Sequence, residues 1–171
     1  MFKFFILTCS LFLCTTCFAA ECSITSSPNN ISLGDFSFGS LTKEKVADRY
    51  YYTMKKDIMI SAKCRNASNI SFVYSAPYNG MGFTIGGVDG YYTIKVNKFI
   101  VNGVSREVRY VDTNKKVDFI LPETAVHTAI GGEDYSVDVN LMLNIAFYFN
   151  PNTSLGNYSI FTTGEFHLQA L

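Results

Sequence analysis

The chain has 171 residues, with 14 Lys and Arg against 14 Asp and Glu, so its formal net charge is zero at neutral pH. That balance argues against nucleic acid or an anionic membrane surface as a partner. Only 16% of residues are charged while 48% are hydrophobic, and 15 Phe and 11 Tyr without any Trp make a composition that favours sheets.

Residues 1–20 read as an export signal. Lys3 precedes an apolar run from Phe4 to Cys14, and small residues follow at Cys17, Ala19 and Ala20. This is the layout of a secretory signal peptide cut after Ala19 or Ala20. The run is shorter than the roughly 20 apolar residues a membrane-spanning helix needs. The remaining residues, 21–171, suffice for one domain with a core and hardly for two. Cys9, Cys14 and Cys17 leave with the leader, so the mature chain keeps Cys22 and Cys64. An even pair in an exported protein reads as a disulfide.

The mature sequence then runs as short strands separated by turn residues. Cys22 and Ile24 alternate in the same sense as Ile58, Ile60, Ala62 and Cys64, so the bridge joins two inward faces. Between them, the charged stretch Leu41 to Asp48 suits one helical turn leading into Tyr50, Tyr51 and Tyr52. Asn69 to Ala76 alternates again through Ile70, Phe72 and Tyr74. Asn79-Gly80, Asp89-Gly90 and Asn102-Gly103 are dipeptides suited to tight primed turns. The third is the clearest, with Tyr92 to Val101 leading in and Val104 to Val111 leading out.

Val117 to Leu121 is a short strand stopped by Pro122, and the polar stretch Glu123 to Asp134 reads as loop. Ser136 to Phe149 is a long apolar strand, with Val137, Val139, Leu141, Leu143 and Ile145 on one face, and belongs at the centre of a sheet. Pro151 and Asn152 break it. Leu155 to Leu171 alternates almost to the final residue, with Tyr158, Ile160, Thr162, Gly164, Phe166, Leu168 and Ala170 on one face. About nine short strands at regular spacing predict an all-β sandwich.

Catalytic and metal-binding constellations are scarce, so the sequence points away from an enzyme, and no cofactor or metal is expected. His127 and His167 lie far apart without ligand neighbours at metal spacing. The carboxylates are scattered, and Gly86-Gly87 and Gly131-Gly132 are turn glycines with no helix behind them to cradle a phosphate. Asn-X-Ser triplets at Asn30, Asn66, Asn69, Asn152 and Asn157 favour a eukaryotic glycoprotein mildly, since an Asn- and Ser-rich chain produces them freely.

Three segments together resemble pilus subunits of the bacterial chaperone–usher pathway. One is the early cysteine in Glu21-Cys22-Ser23-Ile24 with its partner closing the strand Ile58 to Cys64. Another is Ile31-Ser32-Leu33-Gly34-Asp35-Phe36-Ser37-Phe38-Gly39. The last is Leu155-Gly156-Asn157-Tyr158-Ser159, opening an alternating strand that ends the chain. The resemblance implies a pilin-type, immunoglobulin-like sandwich that is incomplete and lacks its last strand. A periplasmic chaperone fills the resulting groove, and a neighbouring subunit later replaces it by strand addition. The implied partners are the chaperone, the outer-membrane usher, other fimbrial subunits and a host surface receptor.

On the same resemblance Tyr158, Ile160, Phe166, Leu168 and Ala170 line the groove, and the Leu171 carboxylate anchors the chaperone. Two departures stand out. The family usually has an aromatic where this chain has Ala170, and its motif glycine sits nearer the end than Gly156. Because only Glu21, or Ala20 and Glu21, precedes Cys22 after cleavage, a tip or minor subunit that adheres or invades is expected over a shaft subunit. The alternative is a self-sufficient secreted sandwich, spore-coat-U-like or a eukaryotic glycoprotein, that binds without strand exchange. Under either reading the aromatic turn Tyr50 to Tyr52 and the loop Glu123 to Tyr135 are candidates for recognition. Mass spectrometry of the exported chain is expected to find its first residue at Ala20 or Glu21; an intact leader would overturn the export reading.

Overall fold

Strands make up all of the regular structure in the computed structural model, which describes residues 20–26, 41–129, 136–150, 162 and 164–170. They are β1 (Glu21–Ser26), β2 (Thr42–Val46), β3 (Arg49–Arg65), β4 (Asn69–Ser75), β5 (Phe83–Thr84), β6 (Gly90–Val101), β7 (Val104–Arg106), β8 (Arg109–Tyr110), β9 (Val126–Ala129), β10 (Ser136–Phe149) and β11 (Glu165–Ala170). A seven-stranded sheet runs β1-β3-β10-β6-β5, with β2 also on β3 and β7 also on β6. A four-stranded sheet runs β11-β4-β9-β8. In immunoglobulin lettering the first sheet is A-B-E-D as β1-β3-β10-β6, and the second sets F beside C as β11-β4. The protein is therefore an all-β, immunoglobulin-like sandwich.

β10 is the spine of the larger sheet. It pairs along its whole length with β3, from Ser136 opposite Arg65 to Phe149 opposite Tyr52, and with β6 on its other side. Val139, Leu141, Leu143, Ile145, Phe147 and Phe149 all point inward and are buried. They meet Ile70, Phe72 and Tyr74 of β4 and Val126 of β9 in one core cluster. Phe72 stacks on Phe99 of β6 at 6.2 Å between ring centroids. The two sheets are also fastened by a polar contact, since the hydroxyls of Tyr74 and Tyr92 lie 2.6 Å apart in the buried interior. A buried hydroxyl needs such a partner, and here each supplies the other.

Cys22 and Cys64 face each other in the β1–β3 register and form the disulfide. Asn102 and Gly103 both have positive φ, 47° and 78°, as a primed two-residue turn between β6 and β7 requires. The chain then changes sheets, because β7 stops at Arg106 and β8 joins β9 in the smaller sheet.

Five local expectations are corrected. Val117 to Leu121 forms no strand of its own and meets β6 through the isolated bridge of Phe119 to Lys95. Tyr50 to Tyr52 lie at the start of β3 and not in a turn. Leu41 to Asp48 holds no helical turn: Thr42–Val46 is β2, hairpinned onto β3 through Ala47, whose φ is 53°. The alternation of its side chains is hidden in sequence because most of them face solvent. The stretch expected as loop contains β9, where Val126 and Thr128 are buried and Thr128 donates to the Glu107 carbonyl at 2.7 Å. At Asp89-Gly90 the positive φ falls instead at Gly87, and Gly90 already belongs to β6.

Two outcomes follow. The disulfide closes a sequence separation of 42 residues, for which chain entropy alone gives about 4 kcal/mol. Cys22→Ala/Cys64→Ala is expected to lower the melting temperature sharply; a melt unchanged from wild type would contradict this.

The second concerns alkali. Burial raises the Tyr74 and Tyr92 hydroxyls above the ordinary tyrosine value, and burial beside Tyr148 and Tyr51 lifts Tyr91 to about 12. Folded values above unfolded ones give stability that is complete below about pH 10 and lost as pH rises from there through the folded values. Phenolate absorbance and circular dichroism, followed together, are expected to show the buried tyrosines ionising as the fold is lost. Their ionisation in an intact fold near pH 10 would refute it.

Candidate functional site

The edges of the two sheets come together at β1 and β11. β1 is the last strand of its sheet and pairs on one side with β3; β11 is the last strand of the other and pairs on one side with β4. The two lie alongside each other across the sandwich. Among the described residues, no strand occupies the outer edge of either. A sheet edge exposes a row of backbone donors and acceptors able to pair with an added strand.

Side-chain burial along this seam differs from that in the rest of the core. In β11 the outward residues Glu165, His167 and Gln169 are exposed, as alternation requires, but the inward ones, Phe166, Leu168 and Ala170, are only half-buried. Across the seam, Cys22 is half-buried and Ile24 is 37% exposed. The core-facing Met54 and Ile58 of β3 are likewise incompletely covered. Farther along the same strand, Ile60, Ala62 and Cys64 are buried. A row of apolar side chains directed inward yet left partly wet is what an apolar partner strand would cover, at roughly 25 cal/mol for each Å² removed from water.

β11 is held in place by its approach to Tyr74. The Tyr74 hydroxyl is hydrogen-bonded to the Thr162 side chain as well as to Tyr92, and its ring lies 4.4 Å from that of Phe166. A Cβ built at Gly164 would fall on the Tyr74 hydroxyl and ring. Thr162 and Gly164 are both buried, so the chain enters β11 by passing directly over this side chain.

Of the residues expected at the groove, Phe166, Leu168 and Ala170 share the inward face of β11 and pair with Tyr74, Phe72 and Ile70. Tyr158, Ile160 and Leu171 lie outside the described residues, as do the segment Ile31 to Gly39 and residues 130–135 of the stretch before β10. Sequence reading placed Gly164 merely among the inward positions. Its spacing to the aromatic two residues on was the available signal, but only the register with β4 brings Tyr74 beneath it.

A separate apolar cleft of about 260 Å³ opens on the β6 edge, where β5 ends and the segment bearing Phe119 and Leu121 takes over. Tyr78, Met81, Phe119 and Leu121 around it are each 45–55% exposed. His127 sits in β9 opposite Ser71 and Arg109, and His167 lies 3.8 Å from Glu165 on the exposed face of β11. Among the described residues no three His, Cys, Asp or Glu side chains gather as a metal site would need, and no helix is long and apolar enough to cross a membrane. Compared with protein-family models and with curated proteins, the chain matches none.

Gly164→Ala is expected to cost about 1–3 kcal/mol, the usual penalty of overpacking a filled interior, read as a lower melting temperature. A melt equal to wild type would show that the Tyr74 approach does not constrain β11.

Proposed function

We propose that this protein is a strand-accepting fimbrial subunit of the chaperone–usher type, exported behind a signal peptide and assembled by β-augmentation. One observation carries the reading: the unpaired edges of β1 and β11 adjoin, over inward apolar side chains that the chain's own described residues only half cover. An extended strand laid along β11 would satisfy its free backbone edge and seat alternate side chains against Phe166, Leu168 and Ala170. In the immunoglobulin lettering this is the place of strand G beside F. The cysteine pair supports export, since such bridges persist in oxidising compartments.

The partners that follow are a periplasmic chaperone supplying the first strand, an outer-membrane usher, neighbouring subunits supplying the replacement, and a receptor on a host surface. The role is binding and assembly, without catalysis.

The test is periplasmic expression of the exported chain alone, with its cognate chaperone, and with an alternating apolar strand fused behind Leu171 through a flexible linker. Aggregation or proteolysis of the free chain, with a one-to-one chaperone complex and a cooperative melt for the fused form, is the expected result. Leu168→Asp, on the inward face, is expected to cut chaperone co-purification at least about tenfold, equivalent to 1.4 kcal/mol, while His167→Asp on the outward face leaves it unchanged. A free chain that is monomeric and melts cooperatively without help would instead establish a self-sufficient secreted sandwich.

A further inference from the structure

The β6 edge carries a second cavity, of about 280 Å³, beyond the apolar cleft. It lies where the edge passes from one neighbour to another. Phe99 still pairs with Arg106 of β7, and the Val96 N–H already donates to the Asp118 carbonyl at 3.1 Å. Asn97 and Lys98 fall between. The β6–β10 register skips Asn97, so a bulge turns the strand at this point, as bulges commonly do where a side chain must be re-aimed.

The walls of this cavity are chemically divided. Val108 and Val117 are buried and Val96 half-buried, giving an apolar floor. Around it stand the exposed cations Lys98, Arg106 and Lys116. None of the three has an acidic partner within ion-pair distance among the described residues, whereas Glu107, the one acid in the lining, is ion-paired with Arg109. From Lys95 to Lys116 the sequence holds six basic residues and two acidic ones, a local excess of positive charge in a chain whose total charge is balanced. Three like charges converging on one concavity raise the local concentration of an anion and are relieved when one binds.

We propose that this cavity binds a ligand of about one sugar ring in size that carries a carboxylate or sulfate. The ring lies over the valine floor. Arg106 meets the oxyanion with paired N–H donors, while Lys98 and Lys116 act as point charges on either side. Such a site adds receptor chemistry to the protein and stands whether or not β11 accepts a strand, because it lies on the β6 edge and not at the seam.

Titration calorimetry on the exported chain, in its chaperone-bound or strand-fused form if the free form aggregates, tests this with four probes. Glucuronate and glucose 6-sulfate are expected to bind saturably at one site, glucose not at all, and inorganic sulfate more weakly than either charged sugar. Added sodium chloride should weaken the interaction, since the cations are exposed. Arg106→Ala and Lys116→Ala should each weaken glucuronate or glucose 6-sulfate at least about tenfold, since each removes a cationic contact to the oxyanion. Lys45→Ala on the distant β2 should change nothing, and circular dichroism of all three variants should match wild type. Absence of saturable binding by both charged sugars would overturn the site. An Arg106→Ala effect no larger than that of Lys45→Ala would reduce it to diffuse surface charge and overturn it equally. Inorganic sulfate binding as tightly as the sugars would overturn the ring-sized ligand.

Discussion

The contact on which much of this sandwich depends is the pair of buried tyrosine hydroxyls between Tyr74 and Tyr92, 2.6 Å apart. Most of the core is apolar and non-directional, and such packing tolerates sliding of one sheet over the other at modest cost. A buried hydroxyl does not, because losing its partner costs about 1–3 kcal/mol. The pair therefore fixes where β4 lies against β6. Thr162 and Phe166 then place the closing strand relative to β4 through the same side chain. Tyr74 ties three elements together: the two sheets and the strand at their edge.

From that arrangement the seam follows. From Val139 to Phe149, β10 is enclosed by β3 and β6 and buries its inward side chains, while β1 and β11 each end a sheet and bury theirs incompletely. The difference is one of position, since the inward residues of β11 are as apolar as those of β10 but have a neighbour on one side only. The cations of the β6–β7 hairpin and of the stretch around Lys116 gather on the opposite margin of the larger sheet, beside β6. The proposed strand-accepting seam and the proposed ligand site therefore lie on different margins of one small domain.

Much of the architecture was readable from residue patterns. Ser136 to Phe149 declared itself a central strand because both its length and its alternation survive burial, and Asn102-Gly103 declared its turn because few other dipeptides accept two positive φ values. Cys22 and Cys64 paired by elimination once the leader was set aside. β2 and β9 were missed for one reason. Each is short and joins a sheet through backbone hydrogen bonds while its side chains are mixed in polarity, so periodicity carries little signal. Gly164 was missed for another, since a close approach depends on which residue lies opposite, and that is a property of register. The basic cavity was illegible for a similar reason: Lys98, Arg106 and Lys116 converge only because β7 folds back on β6 and the later chain returns to the same edge.

The disulfide has a mechanical consequence distinct from its effect on stability. It joins β1 to β3 at residues already opposite each other in the ladder. Tension applied at Glu21 therefore cannot peel β1 away one hydrogen bond at a time. The covalent link hands the load to β3, which is paired with β10 over fourteen successive positions. Antiparallel hydrogen bonds lie across the strands, so a pull along them loads many bonds at once instead of in sequence. A domain wired in this way resists extension by shear.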